Sequence, residues 1–281
     1  MKTIAEFIPQ KPFLVCIDSD GCAMDTMNIK HKTCFGPAFI ETYGLQAFAE
    51  PVQSLWESIN LYTKTRGINR FLGLVLALET IKAQNICPLA QEFDRLKAWT
   101  ETTSALSNAA LKQEIEKTGD NQLQLALQWS LAVNEKVSAL PEGNFSYSGV
   151  EKAMEIMAPK ADIVVVSSAN GEALNREWTL CGLTDHLSAM AGQEQGTKSH
   201  VIAQLLKTNA YAPEQVLMIG DAPGDLQAAA KNGVLFYPIL AGQEDASWEQ
   251  LSQDALDRFF TNSYAGAYAN ARKDAFEKNL M

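Results

Sequence analysis

Apolar and polar positions follow two different patterns along this chain, and the change between them divides it into segments. Residues 13–17 form a short apolar run that is directly followed by Asp18. Such a run is too short for a buried helix, so it predicts a buried strand. From about residue 26 to 140 the strand pattern is absent, and apolar residues recur at the spacing of amphipathic helices. Examples are Ile68, Phe71, Leu72, Val75 and Leu76, followed later by Leu123, Leu127 and Leu131.

Strand and helix patterns alternate in the remaining part of the chain. Strands are predicted at 163–166, 186–191, 216–219 and 234–237, the second of them being the weakest. Helices are predicted at 150–157, 173–181, 201–206 and 223–231. Such alternation favours a parallel sheet with helices on both faces, because each crossover helix packs back onto the sheet. The tail from about Ala241 predicts helices of polar character.

These patterns predict an α/β fold with two domains. Residues 1–25 and 141–281 would form a discontinuous core, a doubly wound parallel sheet with its helices. Residues 26–140 would form an all-helical domain inserted after the first strand. The length of 281 residues is sufficient for two domains of modest size.

The composition is that of a folded protein with an acidic surface. Hydrophobic residues make up 47% and charged residues 20%, and 23 basic against 33 acidic residues give a formal net charge of -10. This charge argues against a nucleic-acid partner, because a phosphate backbone binds clustered cations. The best apolar run, residues 71–78, is too short to cross a bilayer, so no membrane partner is expected. The N-terminal sequence lacks a secretory pattern and the five cysteines are scattered, which favours reduced thiols in the cytoplasm.

Polar residues follow three of the predicted strands, at the edge of the sheet where ligands bind in such folds. They are Asp18 and Asp20 after the first strand, Ser167 and Ser168 after the second, and Asp221 and Asp225 after the fourth. Four carboxylates gathered at one edge would repel one another unless a cation lay among them. Oxygen ligands alone suit Mg²⁺, which also keeps waters and substrate phosphate oxygens. The pattern therefore predicts a magnesium site.

A lysine completes this candidate site. Lys198 follows Thr197 at the point where a helix is predicted to begin. A helix N-terminus and an ammonium group both attract a phosphate. We therefore expect a substrate phosphate near Lys198 rather than near Lys160 or Lys207, which lie toward helix C-termini.

The four motifs together resemble those of the haloacid dehalogenase superfamily, whose usual members are phosphatases and phosphomutases. They are Asp18-Ser19-Asp20-Gly21 after the first strand, Ser167 after the second, Lys198, and Gly220-Asp221-Ala222-Pro223-Gly224-Asp225 from the end of the fourth. The resemblance covers about residues 13–21 and 161–237. It implies a Rossmann-like core with a helical cap inserted after the first motif. Cys22 departs from the family pattern, which usually has Thr or Val at that position.

The resemblance also implies roles for the site residues. Asp18 would attack phosphorus to form an aspartyl-phosphate. Asp20 would protonate the leaving oxygen and then deprotonate the water that cleaves the intermediate. Ser167 would donate a hydrogen bond to the phosphoryl group, and Lys198 would neutralise charge on that group and on Asp18.

The metal ligands are implied in the same way. Mg²⁺ would be held by the carboxylate of Asp18, the backbone carbonyl of Asp20 and Asp221. Asp225 would belong to this metal site, either as a support behind the ligands or as the partner that orients Lys198. The cation is an expected cofactor, because without it the attack of one anion on another is repelled.

One cationic group stands out in the predicted helical domain. It consists of Lys64, Arg66, Asn69 and Arg70. One interpretation is a solvated helix start, and the other is a cap patch that closes over the substrate, since Arg suits bidentate phosphate binding. The substrate-binding residues predicted by the second interpretation, together with one from the core, are Arg66, Asn69, Arg70 and Ser168.

These features together predict a magnesium-dependent phosphatase that hydrolyses a small phosphorylated metabolite. A phosphomutase is the first alternative, because it uses the same core motifs and passes the phosphoryl group to a sugar hydroxyl. A binding protein that keeps the fold without turnover is the second alternative. Dehalogenation is less favoured, since the dehalogenating relatives lack an acid at the position of Asp20.

Overall fold

The computed structural model describes residues 2–141, 143–207 and 210–280. The chain divides into two units, one made of Met1–Met27 with Glu142–Met281 and the other of Asn28–Pro141. We call the first the α/β unit and the second the helical unit. That the helical unit acts as a cap stays a prediction.

The α/β unit is built on a parallel sheet. Its strands are β1 (Phe13–Ile17), β2 (Ala161–Val166), β3 (Ala189–Ala191), β4 (Val216–Gly220) and β5 (Leu235–Pro238). Their order across the sheet is β3-β2-β1-β4-β5, and neighbouring strands are parallel. Cys16 of the central strand pairs with Val164 on one side and with Met218 on the other. The strand order reverses at β1, so a ligand crevice is expected at its carboxyl end.

The third strand is shorter than the sequence pattern predicts. The pattern covers residues 186–191, but β3 contains only Ala189–Ala191. A 3-10 turn at Thr184–His186 occupies the chain just before it. Bonding to β2 begins at Ser188, whose N–H donates to the Ile163 carbonyl at 2.8 Å. The predicted strand is therefore too long at its start, where His186 belongs to a turn.

Helices make up most of the rest of both units. The α-helices are α1 (Thr26–Lys30), α2 (Gly36–Thr42), α3 (Ala49–Glu57), α4 (Arg70–Gln84), α5 (Asp94–Thr102), α6 (Asn108–Thr118), α7 (Asn121–Ser138), α8 (Val150–Met157), α9 (Gly171–Leu180), α10 (Lys198–Leu206), α11 (Pro223–Asn232), α12 (Glu244–Gln250), α13 (Leu256–Phe260) and α14 (Ala267–Asn279). Short π-helical turns lie at His31–Phe35, Ser58–Tyr62 and Leu251–Ala255. Within the described ranges, no helix has both the length and the hydropathy that a bilayer crossing needs.

Alternate residues of each strand enter two different apolar cores. Val15 and Ile17 lie in a core with residues of α8, α9, α12 and α13. Leu14 and Cys16 lie in a second core, with residues of α10, α11 and α14. All four side chains are closed to solvent. Burial on both faces explains the continuous apolar run and confirms the predicted doubly wound α/β fold.

The C-terminal segment, residues 241–280, contributes to both cores. The helical character predicted for it is confirmed by α12, α13 and α14. The polar character predicted for it is wrong in part, because Trp248 is buried in one core and Phe276 in the other. Tyr264 also donates its hydroxyl to the Phe236 carbonyl of β5 at 2.6 Å. The segment is therefore a structural layer of the α/β unit.

The helical unit has an aromatic core of its own. Trp56 and Trp129 are fully buried, with ring centroids 5.6 Å apart in an edge-to-face arrangement. Phe71 meets the ring of Trp99 in the same way at 5.2 Å. Edge-to-face pairs add to the free energy of burying the rings. The helical unit thus has a buried apolar core of its own, formed by residues between Cys34 and Val133.

Helix ends in this unit follow ordinary capping chemistry. α4 begins after Asn69, whose side chain accepts the Phe71 N–H at 2.9 Å. α6 ends at Gly119, where φ is +63°, a conformation that glycine adopts readily. Asp120 then caps α7 by accepting the Gln122 N–H at 2.9 Å. These residues cap the start of α4, the end of α6 and the start of α7.

Candidate active site

The segment after β1 is a tight turn built on one carbonyl group. The Ser19 carbonyl accepts three backbone N–H groups, those of Cys22 (3.2 Å), Ala23 (3.0 Å) and Met24 (2.9 Å). Gly21 has φ of +82°, in the left-handed region where a side chain would be strained. The Asp18 N–H continues the β1 ladder by donating to the Ile219 carbonyl at 3.0 Å. The turn therefore holds Asp18 at the carboxyl end of the central strand.

A second acidic segment follows β4. Gly220 has no room for a side chain, because a Cβ there would lie 2.4 Å from the Cγ of Asp225. The Asp225 carboxylate packs into that space and accepts the Ala222 N–H at 3.0 Å. Asp221 lies between them and is also buried. Glycine at this position thus brings Asp225 against the end of the strand.

Lys198 joins the two acidic segments. Its backbone begins α10, which Thr197 caps by accepting the His200 N–H at 3.2 Å. Its Nζ lies 2.7 Å from Asp18 Oδ2 and 2.5 Å from Asp225 Oδ1. The helix start predicted from the sequence is confirmed, and it directs the ammonium to the two carboxylates.

Three buried carboxylates meet at this point. Oxygen atoms of Asp18, Asp221 and Asp225 all lie within 4.8 Å of one another. Loss of solvation is the largest influence on Asp18 and raises its pKa well above the ordinary value. Lys198 lowers that pKa, while the like charges of Asp225 and Asp221 raise it further. The single ammonium group of Lys198 therefore does not compensate the negative charge of three neighbouring carboxylates.

The lysine itself stays charged in this environment. Burial lowers the pKa of the Lys198 ammonium, but the carboxylates of Asp18 and Asp225 outweigh burial and hold that pKa above its usual range. The ammonium also donates hydrogen bonds to both carboxylates, which favours its charged form. A fixed positive charge therefore lies beside Asp18.

The donor set fits a hard divalent cation. The cluster holds three buried carboxylates and one ammonium, so it carries excess negative charge. Carboxylate oxygens are the ligands that Mg²⁺ takes in proteins. Asp18, Asp221 and Asp225 lie close enough together for one cation to contact all three, and that they hold one stays a prediction. That the Asp20 backbone carbonyl is a further ligand of the ion stays a prediction.

The Asp20 side chain has different surroundings from those of Asp18. It is half-buried, and it is not a member of the three-carboxylate group. The Thr26 hydroxyl donates to its Oδ1. The sequence held no signal for this contact, because a threonine at the start of α1 is equally typical of a helix terminus. Two carboxylates only two positions apart thus have different surroundings, and the roles predicted for them stay predictions.

The two serines after β2 also differ. Ser167 is buried, and its hydroxyl oxygen accepts the Ala169 N–H at 3.1 Å, so its proton is free to be donated to another acceptor. Ser168 is exposed. Neither serine caps α9, because Asn170 does so by accepting the Glu172 N–H at 3.0 Å. Ser167 is therefore the better placed of the two to donate a hydrogen bond.

The cationic group of the helical unit is largely engaged within that unit. Arg66 is buried and donates to the Leu61 carbonyl at 2.6 Å. The interpretation of a solvated helix start is therefore wrong for Arg66, although Lys64 is exposed. Asn69 is the cap of α4. Roles of these residues in substrate binding stay predictions.

Arg70 is held by neutral partners. It donates to the Ser130 hydroxyl at 3.0 Å and to Asn134 Oδ1 at 2.8 Å. Its guanidinium lies 5.1 Å from the centre of the Phe35 ring. Desolvation lowers the pKa of Arg70. Its place as a substrate-binding residue also stays a prediction.

Cys22 is not a plausible nucleophile. It is closed to solvent, and its Sγ lies 3.6 Å from the Ile219 carbonyl. Desolvation, followed by the negative charges of Asp221 and Asp18, raises its pKa well above the ordinary value. The thiol therefore stays protonated, whereas a nucleophilic cysteine has to ionise.

Two tryptophans that sequence patterns did not single out contact the turn after β1. Trp178 of α9 donates its indole N–H to Ser19 Oγ at 2.9 Å. Trp248 of α12 donates its indole N–H to the Cys22 carbonyl at 2.8 Å. Both partners are distant in sequence, so no local pattern could have indicated either contact.

Comparison with protein families gives a match over residues 73–239. The profile of the family described as haloacid dehalogenase-like hydrolase matches residues 73–239, more than half of the chain. The matched region contains Ser167, Lys198, Asp221 and Asp225 and begins after Asp18. No curated protein matches this chain.

Several solved structures are similar to the chain. One, assigned as a phosphoglycolate phosphatase from Lactobacillus delbrueckii subsp. bulgaricus, is 13% identical with a TM-score of 0.50, over 92% of this chain and 100% of that one. The protein YfnB from Bacillus subtilis, assigned as a HAD-hydrolase and bound to magnesium, is 10% identical with a TM-score of 0.45, over 82% and 87%. A protein assigned as a β-phosphoglucomutase from Thermotoga maritima is 17% identical with a TM-score of 0.39, over 80% and 84%. At 13% identity, the similarity to the Lactobacillus protein shows a shared fold and nothing about function.

Proposed function

The chain belongs to the family of haloacid dehalogenase-like hydrolases, and from that premise we propose that it is a magnesium-dependent phosphatase acting on a small phosphorylated metabolite. The observation that supports this proposal best is the contact of Lys198 with Asp18 and Asp225 inside a buried group of three carboxylates. A site of this kind suits an anionic substrate, because phosphoryl transfer depends on charge compensation more than on any other effect.

In the first half-reaction Asp18 is the nucleophile. A carboxylate oxygen of Asp18 forms a bond to phosphorus while the bond from phosphorus to the ester oxygen breaks. Asp20 gives its proton to that leaving oxygen, and the alcohol departs. The products of this step are an aspartyl-phosphate and an ionised Asp20.

In the second half-reaction water replaces the alcohol. Asp20 removes a proton from a water molecule as the water oxygen bonds to phosphorus. The bond from phosphorus to Asp18 breaks, inorganic phosphate leaves, and both aspartates return to their starting states. Thr26, by donating to Asp20 Oδ1, orients this carboxyl through both steps.

Lys198 and Ser167 act on the phosphoryl group. The Lys198 ammonium, already beside Asp18, offsets the negative charge that builds up on the phosphoryl oxygens. The Ser167 hydroxyl donates a hydrogen bond to one of those oxygens, while its own oxygen accepts the Ala169 N–H. Both groups are positioned before substrate arrives, which is the condition for strong electrostatic stabilisation.

The buried carboxylates would hold the magnesium ion. Asp18, Asp221 and Asp225 form the donor set. When bound, the ion supplies the positive charge that lets neighbouring carboxylates stay ionised beside a phosphate. Asp225 would then contact both the ion and Lys198, whose Nζ lies 2.5 Å from Asp225 Oδ1.

A phosphate-release assay tests the proposed function. Purified protein is incubated with an aryl phosphate and a panel of phosphorylated sugars, acids and nucleotides, in Mg²⁺ and in EDTA. We expect phosphate release in Mg²⁺ only, and none from the Asp18→Asn variant, whose amide cannot attack phosphorus. Absence of release from every compound would overturn the phosphatase. Transfer of label between positions of a sugar phosphate, without release, would indicate a mutase instead.

A further inference from the structure

The turn that carries Asp18 and Asp20 closes on itself at Cys22. Its internal hydrogen bonds go to the Ser19 carbonyl and, from the Gly21 N–H at 2.8 Å, to the Met24 carbonyl, whereas the Cys22 carbonyl bonds outside the turn. That carbonyl accepts the Trp248 indole N–H at 2.8 Å, and Trp248 has no solvent exposure. The contact spans 226 residues and joins the C-terminal segment to the proposed catalytic turn.

Trp248 is itself anchored to the sheet. Its neighbour Ser247 accepts the Tyr237 hydroxyl on its backbone carbonyl at 2.7 Å. The Ser247 hydroxyl donates to the Gln243 carbonyl at 2.8 Å and accepts the Leu240 N–H at 3.0 Å. These bonds tie the first turn of α12 to β5 and to the loop after it. The indole therefore reaches the Cys22 carbonyl from a fixed base.

Gly149 fixes the other side of Trp248. A Cβ at Gly149 would lie 2.6 Å from the Trp248 Cβ, closer than side-chain atoms approach. The chain just before Gly149 also bonds to the end of the turn, because the Tyr147 N–H donates to the Ala23 carbonyl at 3.1 Å. Trp248 is thus held between the sheet and the segment that pairs with the turn.

A second indole holds the beginning of the turn. Trp178 donates to Ser19 Oγ at 2.9 Å, so the turn is bonded at Ser19 and again at Cys22. Asp20 lies between these two points. Reaction rates are sensitive to displacements of about 1 Å in reacting groups, so two fixed points on either side of Asp20 bear directly on catalysis.

We propose that Trp248 is a positioning residue that holds the turn at residues 18–24 through its bond to the Cys22 carbonyl. The C-terminal segment is then part of the catalytic apparatus, although it lies outside the region matched by the family profile. The inference rests on the proposed function for its kinetic consequence, while its structural consequence is independent of activity.

The test compares Trp248→Phe with a matched control, Trp129→Phe. Phenylalanine keeps an aromatic ring and removes the indole donor. Trp129 is equally buried, and its indole N–H also bonds a backbone carbonyl, that of Phe35, but in the helical unit. Two readouts are taken: hydrogen exchange of the Cys22, Ala23 and Met24 amides, and the kinetics of aryl phosphate hydrolysis in Mg²⁺.

We expect Trp248→Phe to speed exchange at these amides about tenfold, as loss of one hydrogen bond implies, with no change at the Val164 and Val165 amides of β2. We expect kcat to fall about tenfold to hundredfold with KM within about twofold. Trp129→Phe should change neither readout. Unchanged exchange in the turn, or unchanged kcat with a loosened turn, would overturn the inference.

A second variant guards against misfolding of the first. Gly149→Ala leaves Trp248 in the chain but pushes its side chain away, so it should loosen the same amides and lower kcat. Failure of the Gly149→Ala protein to show either effect would overturn the inference even if Trp248→Phe does not fold. A wild-type protein without activity would sink the proposed function alone, because the exchange readout would still decide whether Trp248 holds the turn.

Discussion

Two buried aspartates at opposite ends of the sheet have opposite surroundings. Asp162 lies near the amino end of β2, in register with Leu14, and Asp18 follows the carboxyl end of β1. The carboxylate of Asp162 accepts four neutral donors, the N–H groups of Gln10 (2.8 Å) and Lys11 (3.0 Å) and the hydroxyls of Tyr211 (2.6 Å) and Ser188 (3.1 Å). Asp18 instead has two carboxylates and an ammonium as neighbours.

The difference shows what distinguishes a structural acid from a reactive one. Burial does not, since both side chains are almost closed to solvent. Burial and the bond to Asp162 raise the pKa of the Tyr211 hydroxyl, so that this group stays a donor to the carboxylate. Neutral donors satisfy Asp162 completely, whereas like charges leave Asp18 in need of further positive charge. The unsatisfied electrostatics at Asp18 is what a cation and an anionic substrate would use.

The strongest test of this contrast is Asp18→Asn. We expect kcat for phosphate release to fall by about three orders of magnitude or more, because the amide cannot act as the nucleophile. We expect the midpoint of thermal unfolding to stay equal or to rise, since one of three repelling carboxylates is neutralised. Phosphate release and thermal unfolding of the purified variant measure both. Activity within tenfold of wild type would refute the role of Asp18.

Removal of the only described cation in contact with Asp18 should have the next largest effect. In Lys198→Gln the crowded carboxylates lose their ammonium partner, and we expect unfolding free energy to fall by about 3–5 kcal/mol in EDTA. Added Mg²⁺ should restore part of this loss, because the ion compensates the same charge. Urea unfolding with and without Mg²⁺ measures the effect.

An exposed lysine provides the matched control for this experiment. Lys160→Gln should change the free energy of unfolding by no more than about 1 kcal/mol, which allows for the loss of its contact with the Phe260 ring at 5.0 Å. If Lys198→Gln unfolds at the wild-type urea concentration in EDTA, the charge of the cluster is compensated in another way. The contrast drawn between Asp18 and Asp162 would then lose its electrostatic basis.

Asp162→Asn should produce the reverse of the Asp18 phenotype. The new amide group would face donors at Gln10, Lys11 and Tyr211, so buried hydrogen bonds are lost. We expect the free energy of unfolding to fall by about 2–3 kcal/mol while kcat stays within about twofold. Urea unfolding and steady-state kinetics on one preparation check this. A large loss of kcat in a stably folded variant would show that Asp162 is not purely structural.

The sequence predicted the elements whose signal is local. The apolar runs that became β1, β2, β4 and β5 were long enough to identify, and the helix start at Lys198 followed from its cap. Polar residues at strand ends could be placed at one edge because parallel strands all end there. That reasoning predicted that Asp18, Asp221 and Asp225 lie together, and their carboxylate oxygens do lie within 4.8 Å of one another. Lys198 was added by the predicted helix start after Thr197.

Contacts between distant segments could not be predicted in the same way. Trp248 stands in a polar stretch, and its indole N–H bonds a carbonyl 226 residues away. The four donors to Asp162 come from three separate segments, residues 10–11, 188 and 211, so they are brought together only in the folded chain. Arg66 is a different case, because its bond to the Leu61 carbonyl is local, but a cation in a polar run gave no sign that it would be buried.

The smallest expected effect is a pH dependence of stability that arises from Asp18. In the metal-free protein the folded pKa of Asp18 lies above its unfolded value of about 3.9, chiefly through desolvation. Between these two values the folded state binds more protons than the unfolded state, so stability falls as pH rises from about 4 toward the folded pKa. The slope is limited to about 1.4 kcal/mol per pH unit for one group.

Urea unfolding in EDTA at several pH values above about 4.5 measures this slope. Asp18→Asn should flatten it, because the group that takes up the extra proton is gone. Asp162→Asn should be less stable than wild type throughout, because buried hydrogen bonds are lost. An equal slope in wild type and Asp18→Asn would mean that the protons are taken up elsewhere, and the crowding of Asp18 would then have no energetic consequence in the metal-free protein.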